Sequence, residues 1–449
     1  MHRLALIVLP LMLASAVAEA GGMVLPVRGV RALARGGAFV AGADDADALW
    51  QNPAGLAHAA GPERRALLFD LGVVYQPVEH TRVDADGLPL GMVSNQQPSQ
   101  PVPTLAASLG IGDRLVIAGG LATPYSALHR YPDDGPQRYA SVSLGGSAFV
   151  TVTIGAAYQV SEQLRIGATL QDTVSQLASR IVLAACPGAT TCAPEDRSFD
   201  MLATIEQTDY LAPSGSLGVQ YDATPAVTLG LVLQAPTRVS AGGTFEARLP
   251  SSSLFDGARI VGDDVRVSMT LPPTVRAGIE LRPRPALRIE AALDVELWSV
   301  HDEITIEPQD IRIENAPGFG TATFRDLTIP RDYGTSVAPS LGVEWHGPQM
   351  MLAAGYAYET AAAPPATVSV LTIDAAKHLI SIGGGYEADG WQIGGALGYV
   401  HVADVEVSPG VAAVTQLEPL RDAPSATPVN AGTYQTRYVL AGLRFARRW

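Results

Sequence analysis

Three arginines carry the clearest chemical potential in the chain. Arg165, Arg276 and Arg288 each sit in a segment where apolar and polar residues alternate. A guanidinium held in such a setting is a natural clamp for a carboxylate. Acids on the same kind of face, such as Glu280 and Glu290, are equally natural partners, so each arginine is either a ligand contact or half of an ion pair. Two pairs of large apolar residues lie in otherwise polar connections: Leu254 with Phe255, and Phe319 with Phe324. They read either as contacts for an apolar ligand or as side chains that pack on one another. Cys186 and Cys192 are the only cysteines, and their spacing suits a disulfide closing a small loop.

Catalytic signatures are absent from the sequence. There is no phosphate-binding loop, no Gly-x-Ser-x-Gly elbow and no His-Glu-x-x-His pair. Gly383-x-Gly385-x-x-Ala388 matches a loose dinucleotide fingerprint, but it runs through a strand pattern into a turn, without the helix that would receive a phosphate. The eight histidines are dispersed, and no metal or cofactor cluster forms among them. The expectation is a chain that is not an enzyme and carries no cofactor.

The 449 residues hold 30 Lys and Arg against 44 Asp and Glu, a formal charge of −14, which argues against a nucleic-acid partner. Lys377 is the single lysine. At the N-terminus, Arg3 precedes an apolar run from Leu4 to Val17, and Ala18-Glu19-Ala20 fits the small-x-small cleavage rule. We therefore expect a secretory signal over residues 1–20 and export to an oxidising compartment. The run is short for a retained membrane anchor. The longest uncharged stretch, Tyr139 to Ser161, alternates Val, Leu and Ile with Ser, Thr and Gly and reads as strand, not helix.

Alternation dominates the rest of the chain. Leu287, Ile289, Ala291, Leu293, Val295 and Leu297 fall on one face; Arg288, Glu290, Asp294 and Glu296 fall on the other. A period of two demands a strand, because a helix would scatter these charges around its axis. The same pattern recurs at Val275–Arg282, Leu164–Gln171 and Ser336–Trp345. Short turns are expected at 112–113, 161–163, 223–226, 283–285, 346–348 and 388–390. Long polar connections are expected near 83–101, 125–137, 186–207, 241–269, 308–332, 361–376 and 409–432. Short and long alternate strictly, and the thirteen connections join fourteen strands. That asymmetry and even count describe an all-β, transmembrane antiparallel barrel whose apolar face meets lipid and whose charged face borders a wet lumen. A soluble sandwich offers no reason for every second connection to be long. One strand is expected to run from 287 to 307. The chain ends on Trp449, with Phe445, Leu443, Ala441 and Val439 on its face and Arg447 as the exception. A terminal aromatic of this kind resembles the signal read by the outer-membrane assembly machinery.

Residues 21–65 do not read as strand, leaving 66–449 for the barrel. They contain Gly36-Gly37, a small-residue run from Ala41 to Ala48, and Asn52-Pro53, where a helix over 46–51 must stop. A segment of this composition is a linker or an N-terminal plug folded into the lumen. Here the sequence resembles the FadL family of outer-membrane long-chain fatty-acid and hydrocarbon transporters. Ala34 to Phe39, Ala43-Asp44-Asp45 and Asn52-Pro53-Ala54-Gly55-Leu56 look like that family's N-terminal hatch and Asn-Pro-Ala motif. Leu271 to Gly278, Trp298-Ser299 and Gly355-Tyr356-Ala357-Tyr358 look like its later signatures. The resemblance implies a monomeric passive transporter in the bacterial outer membrane, whose partners are a hydrophobic small molecule and the surrounding lipid. It further implies capture among the outer loops, an internal pocket against the hatch, and sideways exit at a kinked third strand. Gly119-Gly120 lies in the segment expected to be that strand (114–123) and marks either a bend or a close neighbour. A family member acting as a binding or scaffold component of an envelope system, without transport, is the alternative.

Overall fold

Strong alternation resolves into a closed wall of strands. In the computed structural model, which describes residues 29–123, 129–188, 190–423 and 425–449, fourteen antiparallel strands form it. They are β1 (Arg65–Tyr75), β2 (Gln100–Ile111), β3 (Leu115–Ala122), β4 (Ala148–Gln159), β5 (Leu164–Ala184), β6 (Pro213–Thr224) and β7 (Val227–Gln234), followed by β8 (Thr274–Arg284), β9 (Leu287–Leu297), β10 (Thr335–His346), β11 (Met350–Glu359), β12 (Lys377–Ala388), β13 (Trp391–Val402) and β14 (Gly432–Arg448). Each pairs with its sequence neighbours. β1 then pairs with β14, from Ala66 opposite Arg448 to Tyr75 opposite Val439, so no edge is left unpaired. The proposed signal over residues 1–20 lies outside the described residues.

Every short connection falls at one end of the barrel, together with Trp449 and Arg65, which are joined by two backbone hydrogen bonds. The long connections fall at the other end. On β1, Leu67, Phe69, Leu71, Val73 and Tyr75 face outward and are exposed; Ile393, Leu397 and Tyr399 do the same on β13. No helix among the described residues is long and apolar enough to cross a membrane. The exposed girdle is the surface that lipid covers. Arg447, the exception on the last strand, lies over the ring of Trp391 at 4.5 Å and also contacts Trp449.

Several strands continue above the wall after a break. Asp200–Asp209 extends β6, Thr237–Arg248 extends β7 and Asp264–Leu271 extends β8. The breaks fall at Pro213, Pro236 and the Pro272-Pro273 pair, residues that cannot donate to a ladder. The strand expected over 287–307 is likewise interrupted: β9 ends at Leu297, a short turn covers Trp298–Val300, and pairing resumes at Glu303–Pro308. Trp298 is fully buried, and turning it inward costs the chain its extended run.

Residues 29–61 fill the lumen. Two short helices, α1 (Val30–Ala34) and α2 (Ala48–Gln51), are followed by a 3-10 turn over Pro53–Ala59. α1 packs on β11 to β14, whereas the Pro53–Ala59 turn packs on β2 to β6. Nearly every residue from Val30 to Ala57 is buried.

Candidate functional site

At the level of this segment the charged, inward faces of the strands meet it through ion pairs, most of them buried. Arg35 on the segment donates through Nη2 to Glu280 on β8 and Glu290 on β9, each at 2.9 Å, and all three side chains are inaccessible to solvent. Glu290 also accepts backbone hydrogen bonds from Val40 at 2.6 Å, Ala41 at 2.8 Å and Gly42 at 2.9 Å. Arg288 on β9 reaches Glu280 at 2.9 Å, Asp44 at 2.7 Å and the carbonyl of Gly42 at 2.6 Å. Gly42 must be glycine: a Cβ there would fall 2.7 Å from Glu290 Oε2 and 2.9 Å from Arg288 Nη2. At α1, Arg31 pairs with Glu344 on β10 and with Asp44 and Asp45. On the opposite wall, Asp70 of β1 accepts from the Val30 amide at 2.7 Å, and Arg444 of β14 lies 3.2 Å from Asp45. Buried charges persist only when paired in this way.

Asn52, of the Asn52-Pro53-Ala54 motif, anchors the far side. Its Nδ2 donates to the carbonyls of Val40 at 3.0 Å and Val219 on β6 at 3.1 Å; its Oδ1 accepts from the Ala54 amide at 3.2 Å. Pro53 and Ala54 follow in the 3-10 turn and are buried. Trp50 donates to Thr153 on β4 at 3.1 Å, and its ring covers Gly120 on β3.

The arginines singled out from the sequence are engaged by protein. Arg276 donates to the Trp50 carbonyl at 2.7 Å, Arg288 serves the network above, and Arg165 pairs with Asp222 at 2.7 Å near a short turn. Of the two readings of these residues, the structure shows the ion-pair or segment-holding one. Of the two readings of Gly119-Gly120, a bend or a close neighbour, Gly120 meets the second. β3 keeps an unbroken register with β2 and β4 across both glycines, so no bulge kinks it. Gly120 instead gives room to Trp50, whose Cη2 would lie 2.8 Å from a Cβ placed there.

The apolar loop residues turn inward as well. Phe255 meets Phe319 edge-on with ring centres 5.2 Å apart, and Phe324 meets Phe245 at 5.5 Å. Phe255 and Phe324 are buried, while Leu254 and Phe319 are half-buried against the same cluster. They are the core of a cap above β5 to β10, not an exposed capture surface. Cys186 and Cys192 are bonded at its edge, where Arg421 donates to the Thr190 carbonyl at 2.7 Å.

Open space lies elsewhere. A cleft of about 590 Å³ sits among the long connections, walled by Val83, Leu90, Pro136, Pro194, Pro409 and Pro428, with Asp84 and Arg197 also lining it. The Arg82–Glu195 ion pair and the Arg138–Asp200 pair, the latter at 2.7 Å, tie its loops together. A second cavity of about 360 Å³ opens below the segment between Leu56, His58, Arg444 and Trp449. Sequence reasoning missed Arg31, Arg35 and Arg444. Arg31 and Arg35, four apart in a Gly- and Ala-rich run, were a readable sign of a charged face meeting the inward acids.

Solved structures share this architecture. A Pseudomonas aeruginosa FadL homologue superposes with a TM-score of 0.76 at 15% identity, covering 95% of this chain and 99% of that one. The P. putida toluene transporter TodX gives 0.66 at 16% identity, and the Ralstonia pickettii toluene transporter TbuX gives 0.64 at 16% identity, each with coverage of 95% and 99%. No curated protein matches in sequence. The family described as "Outer membrane protein transport protein (OMPP1/FadL/TodX)" matches residues 11–437. The chain is therefore a member of the FadL/TodX family of outer-membrane proteins.

Proposed function

We propose that this protein is a monomeric passive channel that carries hydrophobic small molecules, long-chain fatty acids or hydrocarbons, across the outer membrane. The observation that carries the reading is the packed lumen: buried ion pairs hold residues 29–61 against the barrel wall, and a segment held there would close the barrel to ions and sugars. A barrel closed to polar solutes suits cargo that prefers lipid. Relatives of the same fold include a monoaromatic hydrocarbon channel and two toluene transporters, which supports this cargo class.

In this reading the cleft among the outer loops receives the solute, with proline and valine side chains supplying apolar contact. Residues 29–61 act as the hatch. Sideways exit is proposed at β3: withdrawing Trp50 from Gly120 bares a wall section that has no side chain to fill it. Such a route keeps apolar surface out of water. The outer-membrane assembly machinery is proposed to read the Trp449 strand.

The test is uptake of labelled oleate and of labelled toluene by cells lacking the gene and by cells complemented with it. Faster uptake of either solute on complementation supports transport. Equal uptake of both, with the protein present in the membrane, favours a binding or scaffold role and overturns the proposal.

A further inference from the structure

Toward the long connections, the outward face of β11 to β14 departs from the apolar pattern. Arg437 on β14 lies directly opposite His401 on β13, His401 opposite His378 on β12, and His378 opposite Tyr358 on β11. These four side chains form one row across four strands. Arg437, His401 and His378 are exposed, on a face that otherwise meets lipid.

The row's height follows from β13. Trp391 marks the short-turn interface, and Ile393, Leu397 and Tyr399 above it are outward and apolar. Ten residues separate Trp391 from His401. At about 3.3 Å per residue and a tilt of about 40°, that span rises about 25 Å, the height of the apolar band of such barrels. The row therefore sits where hydrocarbon gives way to headgroups at the outer leaflet. One step below it come Val439, Tyr399, Ile380 and Tyr356, all exposed. One step above it, Gln435 donates to Asp404 at 2.7 Å.

The side chains are arranged as a unit. The His378 and His401 rings stack with centres 6.5 Å apart, and Tyr358 lies 5.0 Å from His378. The Tyr356 hydroxyl bonds His378 Nδ1 at 2.8 Å, which fixes that ring and leaves Nε2 as its outward nitrogen. A guanidinium beside two imidazoles offers several N–H donors and positive charge, the complement of a phosphate. In the membrane, lipid is what reaches this face.

We infer that Arg437, His401 and His378 form a binding site for the phosphate of an outer-leaflet lipid. The site holds one headgroup against β12 to β14 and fixes the barrel's depth on that side. It requires the barrel in the membrane and is independent of what the barrel transports.

The full-length protein, reconstituted in phosphatidylcholine vesicles containing phosphatidic acid, is extracted and its retained lipid identified by native mass spectrometry. Phosphatidic acid is the probe. Wild type is expected to retain it in preference to phosphatidylcholine. Arg437→Gln should lower that preference about fivefold, the effect of one surface charge on an anionic lipid. His378→Phe with His401→Phe should lower it further while leaving the heat-modified gel shift of the folded barrel unchanged, since both rings point outward. Equal retention of the two lipids by wild type, or unchanged preference in the folded variants, overturns the site.

Discussion

Arg31 grips Glu344 with two parallel hydrogen bonds, Nε to Oε2 at 2.9 Å and Nη2 to Oε1 at 2.7 Å. The pair joins the first helix of the lumen segment to a strand more than three hundred residues later. It is bidentate and buried, the geometry in which a charge pair fixes position most firmly. Removing one partner of such a pair strands the other.

Arg31→Met should therefore loosen α1 by about 3 kcal/mol, because a buried carboxylate loses its main partner. Cells carrying the variant should become more sensitive to a hydrophilic antibiotic that the intact outer membrane excludes. Glu344→Gln, which keeps one acceptor, should have a smaller effect. Wild-type resistance in both variants would show that this contact does not hold the segment.

Asn52 makes a sharper prediction about chemistry. Its Nδ2 donates to two carbonyls, on the segment and on β6. Asn52→Asp puts a carboxylate against both oxygens and should free the Pro53–Ala59 turn for hydrogen exchange. Asn52→Ala should cost about 1–3 kcal/mol, the penalty of leaving buried carbonyls unpaired. Equal protection in wild type and the Asp variant would refute this role.

The loop aromatics divide two readings. Phe324→Ala should lower the stability of the outer cap by about 3–5 kcal/mol, as expected for a buried aromatic. Limited proteolysis at 308–332 should report it directly. A capture residue would change ligand affinity and leave proteolysis alone. Replacing Cys186 and Cys192 with serine should weaken the same cap by about 2 kcal/mol, the loop-closure effect of a short disulfide.

The outer region should also respond to acid. His301, above β9, is fully buried; burial, with Arg331 beside it, pushes its pKa down to about 3. Its Nδ1 donates to the Thr270 carbonyl at 2.9 Å, which suits the neutral ring. An unfolded histidine titrates near about 6.5, so protonation favours opening. Stability is complete above about pH 6.5 and is lost as the pH falls toward about 3. Protection factors for hydrogen exchange near Trp298 and Tyr333, with the intrinsic pH dependence of amide exchange divided out, should be lower at pH 5 than at pH 7.5, and His301→Phe should flatten that difference.

The wall was legible because its signal is local. Leu287 to Leu297 shows which side chains face which way without reference to any other strand, and turn chemistry separates short connections from long ones. The lumen contents were half legible. Glu280, Glu290 and Arg288 could be placed inward by alternation, but their partner Arg35 lies 245 residues from Glu280, and no local pattern encodes that pairing. The glycines of β3 show a similar limit: a missing side chain marks either a bend or a visitor, and only Trp50 decides which. The loop phenylalanines looked exposed because polar residues surround them in sequence, whereas β-strands from several connections cover them in space.

The central claim is that residues 29–61 close the barrel to polar solutes. Planar-bilayer conductance of the full chain and of a variant lacking residues 29–61 tests it most directly, with folding of both checked by heat-modified gel shift. The account predicts background conductance for the full chain and a steady ohmic current for the shortened one. Equal conductance in the two folded proteins would contradict it.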